Sequence, residues 1–294
     1  TGIKYAYGLR FLHKEKIKLI FILSNFINFE SAFLFMKKSQ PIGIFDSGIG
    51  GTSIFKEIHT LLPSEDIIYL ADSFNAPYGI KSKEKIIALS KKNTELLLQE
   101  SCKIIVVACN TATTNAIDFL RNNYDVPIIG IEPAIKPAAL KTKQKAIGIL
   151  ATKGTLSSEL FNKTSGLFAK DVEVIEVIGS GLVEAIEAGE ENTPSTKKLL
   201  EELLQPMLAK SIDYLVLGCS HYPYLIPILQ ELLPKNVVII DSGEAVARQT
   251  KFILNSLGLL NEEQKKASIS FYTNKSPEIL KHFVPYHPVH YLDF

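Results

Sequence analysis

From Pro41 onward, short apolar runs alternate with longer segments whose apolar positions recur at helical spacing. Runs rich in Ile, Val and Leu at 41–45, 66–71, 103–108, 127–131, 145–150, 172–178, 213–218, 236–240 and 268–273 predict nine strands. Between them, 84–100 and 195–209 are clear helical stretches. Ser82 is placed to cap the first, and Thr193-Pro194 to open the second. Strand and helix in alternation predict a parallel α/β architecture.

The apolar pattern also repeats. Ile42-Gly43-Ile44-Phe45-Asp46-Ser47-Gly48 resembles Ile147-Gly148-Ile149-Leu150-Ala151-Thr152-Lys153-Gly154. A cysteine ends a later strand in each half: Cys109 after Ile104–Ala108, and Cys219 after Tyr214–Gly218. The expected fold is therefore two similar α/β domains with mainly parallel sheets and a site in the cleft between them. Residues 36–130 with about 245–294 would form the first domain, and about 131–244 the second.

The first 35 residues follow a different pattern. Lys4 to Lys18 is basic and Leu19 to Phe35 strongly apolar, broadly like a signal peptide. Ser24, Asn25, Asn28 and Glu30 interrupt the apolar part, and a span of about 20 apolar residues is not reached. The expectation is that 1–35 is an upstream extension and that Met36 is the natural start. A membrane anchor and an extra helix are the alternatives.

Composition narrows the function classes. The chain has 294 residues, enough for two domains, with 46% hydrophobic and 21% charged residues. Net charge is +1, from 32 basic and 31 acidic residues. That balance gives no electrostatic case for nucleic acid or a membrane surface as partner. Three cysteines without a CxxC pair point to a reducing compartment, and a cytoplasmic location is expected. Six scattered histidines, none in HxxxH spacing, predict no metal site; His287 and His290 lack neighbouring cysteines.

Ligands of parallel α/β sheets bind at the carboxyl ends of strands, where both Cys109 and Cys219 fall. Two thiols facing one cleft suit a reaction that removes a proton on one side and returns it on the other. Asn110-Thr111-Ala112-Thr113-Thr114 follows Cys109 at a predicted helix start, a setting that lowers a thiol pKa. His221, two residues after Cys219, is placed to help that thiol lose or regain a proton. Asp46-Ser47-Gly48-Ile49-Gly50-Gly51 lies between strand and helix and reads as a carboxylate-binding turn, with Asp46 as a supporting acid. It matches neither a dinucleotide fingerprint nor a phosphate loop. Asn75-Ala76-Pro77-Tyr78-Gly79 is a turn able to bring Tyr78 and backbone amides to the same cleft. Cys102 reads as structural, and Gly179-Ser180-Gly181 lacks the outer glycines of a nucleophile elbow.

Taken together, Gly43–Gly51, Asn75–Gly79, Ala108–Thr113 and Gly218-Cys219-Ser220-His221-Tyr222-Pro223 resemble the glutamate racemases of the aspartate/glutamate racemase family. The four motifs occur in the family's order and span most of the chain from Met36. Two departures stand out. Ser220 replaces the family's usual threonine, keeping the hydroxyl, and Ser180-Gly181 stands where a Cys-Pro often precedes the acidic helix carrying Glu187. The resemblance implies interconversion of L- and D-glutamate for peptidoglycan precursors, with no pyridoxal phosphate, metal or other cofactor. It implies Cys109 and Cys219 as the acid/base pair, acting on the D and L forms respectively. Asp46 would support Cys109, while His221 and Glu187 would support Cys219. Asp46, Ser47, Tyr78, Gly79, Asn110, Thr111, Ser220 and His221 would hold the substrate. The expected partner is the small molecule glutamate, with a homodimer compatible with the pattern.

Other classes remain open on residues alone. An aspartate racemase would differ by one methylene in its substrate, worth only about 1–3 kcal/mol of discrimination. A cysteine hydrolase would need one thiol and would accumulate an acyl-enzyme. A binding protein would close on an amino acid without exchanging its α-proton.

Overall fold

The structure, a computed structural model, describes residues 36–263 and 266–294. Residues 38–294 form one compact unit. The expectations for 1–35, as extension, anchor or extra helix, lie outside the described residues. Among the described residues, no helix is long and apolar enough to cross a membrane.

All nine expected strands form. They are β1 (Ile42–Asp46), β2 (Ile67–Ala71), β3 (Ile104–Val107), β4 (Ile128–Gly130), β5 (Ala146–Ala151), β6 (Glu173–Ile178), β7 (Tyr214–Gly218), β8 (Val238–Ile240) and β9 (Ile269–Thr273). A tenth, β10 (Val289–Tyr291), was not expected; it is a half-exposed edge strand of three residues, too short to show a period. The helices that carry the argument are α1 (Thr52–Leu61), α2 (Lys83–Gln99), α3 (Asn110–Asn123), α4 (Ile135–Lys141), α5 (Lys153–Leu156), α6 (Glu159–Phe168), α7 (Leu182–Glu187) and α8 (Pro194–Ala209). Ser82 caps α2 by accepting from the Lys85 N–H, and Thr193 caps α8 by accepting from the Thr196 N–H.

The strands assemble into two parallel sheets of order β10-β9-β2-β1-β3-β4 and β6-β5-β7-β8. The second repeats part of the first: β2-β1-β3-β4 and β6-β5-β7-β8 have the same arrangement with each number advanced by four. The repeat read between Ile42 and Ile147 therefore extends to whole sheets. In each sheet the order reverses beside its first strand, between β1 and β3 and between β5 and β7. Such reversals open a crevice at the carboxyl edge. The inner strands β1, β3 and β5 are buried throughout, which is why their sequences are unbroken apolar runs rather than alternating ones.

The opposite end of the first sheet is held by charge. Lys103 Nζ, fully buried, lies 2.6 Å from Glu65 Oε2 and also donates to the backbone carbonyls of Lys38 and Leu259. Glu65 Oε1 accepts from the Asn261 N–H at 2.8 Å. Removing one partner of such a pair strands a buried charge. Lys103→Met should lower unfolding free energy by about 3–5 kcal/mol, as read from urea denaturation.

Candidate active site

The strand-to-helix turns at the two reversals carry the chemistry. Asp46 ends β1 and Cys109 follows β3; Thr152 follows β5 and Cys219 follows β7. All four are placed by equivalent steps of the repeated topology. Cys109 and Cys219 are only 4% and 6% exposed, so the site is shut off from bulk water. Cys109 nonetheless feels the charge of Cys219.

Cys109 is the N-cap of α3, its Sγ 3.4 Å from the Ala112 N–H and 3.5 Å from Ser47 Oγ. The helix start was expected to lower this thiol's pKa. Instead the thiol is pushed up, first by burial and then by the Asp46 carboxylate, against weaker opposition from Ser47 and Ala112. Desolvation outweighs one amide dipole in a fully closed site. Neither polar atom of the Asn110 side chain has a hydrogen-bond partner, although the residue is 2% exposed. A buried amide left unmatched costs about 1–3 kcal/mol, which a bound polar ligand would recover.

Cys219 has a different neighbour. Its Sγ lies 3.8 Å from His221 Nδ1, and His221 Nε2 lies 2.7 Å from Glu187 Oε1. The Gly50 N–H also approaches Nε2, at 3.3 Å. One nitrogen cannot both donate and accept, and the short carboxylate contact makes Nε2 the protonated atom. Burial alone would lower the His221 imidazole, but Cys219, Glu187 and Asp46 raise it well above its ordinary value.

The Asp46–Gly51 turn does bind a carboxylate, and the carboxylate is the protein's own. The Ile49 N–H donates to Glu187 Oε1 at 2.7 Å. A side chain on Gly48 would overlap the Glu187 carboxyl, and one on Gly50 would overlap the His221 ring. The glycines thus make room for groups from the second sheet's side of the site. Asp46 accepts from the Gly48 and Gly51 N–H groups at 3.1 and 3.0 Å and from Ser220 Oγ at 3.1 Å. Burial raises its carboxyl pKa, while His221 and the two amides pull the other way. Asp46 therefore reaches Cys109 through its field, and the Cys219 turn through a hydrogen bond.

A second crossing lies on the Cys109 side. Thr111 Oγ1 is 2.8 Å from Thr152 Oγ1 and 3.3 Å from Thr155 Oγ1, and Asn115 Nδ2 donates to the Gly154 carbonyl at 3.0 Å. Gly79 and Gly154 permit this approach; a Cβ on Gly79 would lie 2.8 Å from Thr152 Cβ. Thr155 was not singled out from sequence, and Thr152 appeared only within the repeat, at the position of Ser47. That equivalence was the available signal, since Ser47 had been read as part of the site.

The remaining expected residues are placed as follows. Tyr78 donates to Asp72 Oδ2 at 2.5 Å and its oxygen accepts from Asn93 Nδ2 at 3.2 Å, so its hydroxyl is engaged on the first sheet's side. Asn274 Nδ2 donates to Asp72 Oδ1 at 2.6 Å and ties this turn to the end of β9. Cys102 packs under Gly43 and is raised to about 12 by burial, away from the other two thiols. Among the described residues, no group of three or more His, Cys, Asp or Glu side chains could hold a metal.

A family model described as Asp/Glu/Hydantoin racemase matches residues 42–250. A glutamate racemase of Herpetosiphon aurantiacus is 45% identical over 240 residues, 82% of this chain and 94% of that protein. The crystal structure of Escherichia coli glutamate racemase, in complex with L-glutamate and the activator UDP-MurNAc-Ala, superposes with a TM-score of 0.78 at 31% identity. It covers 86% of this chain and 98% of that one. The Francisella tularensis glutamate racemase, in complex with D-glutamate, gives 0.76 at 28% identity, covering 87% and 98%.

Proposed function

This chain belongs to the Asp/Glu/hydantoin racemase family, among the glutamate racemases, and from that premise we propose that it interconverts L- and D-glutamate by two-thiol proton transfer. The observation that carries the reading is the pair of thiols at equivalent crevices of two sheets with one strand order. Racemisation exchanges a centre for its mirror image, and two bases delivered by a repeated fold match that demand.

For the L to D direction, Cys219 takes the α-proton and Cys109 supplies one to the opposite face; the roles reverse for D to L. His221 accepts or returns the Cys219 proton, held in its tautomer by Glu187. Asp46 orients Ser220 and the turn amides. Loss of the α-proton spreads negative charge onto the neighbouring carboxylate. Ser47, Asn110 and Ser220 beside the thiols are the donors available to stabilise it. Thr111, Thr152 and Thr155 form a hydroxyl cluster suited to the distal carboxylate. The Tyr78-Gly79 turn fixes that cluster's approach. Thr152→Val should raise KM for glutamate about tenfold, the cost of one lost hydrogen bond to a charged group, while kcat falls less. Steady-state kinetics in both directions check this.

The domains proposed are 36–130 with 245–294, and 131–244; the membership of the two sheets supports that division. Supply of D-glutamate for peptidoglycan precursors is the use that the family implies. A cysteine hydrolase would leave one of the two equivalent thiols without a task. The test is incubation of L-glutamate with the protein in deuterated water. α-Proton loss with appearance of the D enantiomer is expected, and optical stability of the substrate would refute the reading.

A further inference from the structure

We propose that the unliganded protein carries its ionised thiol on Cys219, so that it rests in the form that accepts L-glutamate. The handedness rests on the function proposed above; the location of the charge does not. The fold repeats, but the residues after the two cysteines differ. Cys109-Asn110-Thr111 stands where the other half has Cys219-Ser220-His221. At the third position a threonine replaces an imidazole, and its hydroxyl is already tied to Thr152.

The two thiols therefore meet opposite surroundings. Cys219 faces His221 Nδ1 at 3.8 Å, a nitrogen left free to accept because Nε2–H is committed to Glu187. The thiol proton moves from Sγ to Nδ1; the S–H bond breaks, the N–H bond forms, and a thiolate–imidazolium pair results with no change in net charge. Glu187 stabilises the imidazolium and is itself fixed by the Ile49 N–H. The Asp46 field favours the imidazolium as well. The phenol of Tyr222 also feels Cys219 and is spent on the Gly179 carbonyl. Cys109 lies in the field of the Asp46 carboxylate, with Ser47 and one amide as donors, and the phenols of Tyr69 and Tyr78 feel its charge. Negative charge on Cys109 would face Asp46 without an imidazole in contact to compensate it. Glu187 also lines a cleft of about 200 Å³ with Ala76, Pro77, Glu184 and Lys275.

Steady-state specificity cannot reveal the asymmetry. The enantiomers have equal energy, so kcat/KM must be the same in both directions whatever the resting state. A direct readout is the ultraviolet thiolate absorbance of the unliganded full chain, which contains no tryptophan. The unsubstituted protein should show one thiolate equivalent at neutral pH, lost on acidification. Cys109→Ser and Cys102→Ser should retain it; Cys219→Ser and His221→Asn should lose it. Circular dichroism establishes that each variant is folded. If Cys219→Ser fails to fold, the other two cysteine variants assign the signal by elimination. Absence of a neutral-pH thiolate, its survival in folded Cys219→Ser, or its loss in folded Cys109→Ser would each overturn the proposal. A Cys219 thiolate in a protein that does not racemise glutamate would instead leave this inference standing and remove the proposed function.

Discussion

Cys109→Ser and Cys219→Ser should each lower racemisation on the order of 10²–10⁴-fold, the contribution expected of a positioned general acid or base. A serine hydroxyl occupies nearly the same volume but is a far weaker acid than a thiol, so it cannot reach the ionised form needed for proton abstraction. The more revealing result comes from a β-chlorinated glutamate, whose elimination needs only one deprotonation. Cys109→Ser should still process the L-handed configuration and lose the D-handed one, and Cys219→Ser should do the reverse. Chiral chromatography of the residual substrate reads the outcome. Equal handling of both configurations by both variants would rule out the two-base assignment. Cys102, packed beneath Gly43 behind the sheet, is the control: its serine variant should racemise normally.

Gly50→Ala should be nearly as damaging, although the residue does no chemistry. Its backbone has no left-handed strain, so alanine is acceptable to the turn itself. The added carbon would overlap the His221 ring and lie 2.6 Å from the His221 backbone nitrogen. Rotation of a side chain cannot clear a backbone atom, so the two halves of the site must part. Overpacking of this kind costs about 1–3 kcal/mol. Activity should fall further, on the order of 10²-fold or more, because the imidazole, Glu187 and Cys219 are aligned by that contact. Gly48→Ala meets only the movable end of Glu187 and should be milder. The comparison is read from kcat together with the denaturation midpoint. Equal kcat for Gly50→Ala and the unsubstituted protein would show that the packing at this turn does not align the base.

How far the sequence could be read depended on whether a feature was local. Ile104–Val107 is buried along its whole length, so an unbroken apolar run announced it. Ser82 and Thr193 act within one helical turn, and both caps were legible. β10 was not, because Val289–Tyr291 is short, half-exposed and set directly after a proline. At the site, the glycines after Asp46 read as room for a bound carboxylate. What approaches is Glu187 with His221, and no local pattern names a partner supplied by a distant part of the chain. Thr152 and Thr155 look like ordinary helix-start residues until Thr111 is brought against them. The Cys109 pKa was misjudged for the same reason: the helix dipole is visible in sequence, and complete desolvation is not.

The near-complete burial of both thiols also bears on how long such a protein survives in the presence of oxidants. Sulfur that can act as a base can also be driven to sulfenic and higher acids, and only the first of those steps is readily undone. With the site closed, peroxide must wait for the halves to separate before it reaches either sulfur. The rate of oxidative inactivation is then set by the frequency of opening rather than by the intrinsic nucleophilicity of the thiols. An inert dicarboxylate that holds the site shut should slow that loss in proportion to its occupancy, and Gly50→Ala, held ajar, should hasten it.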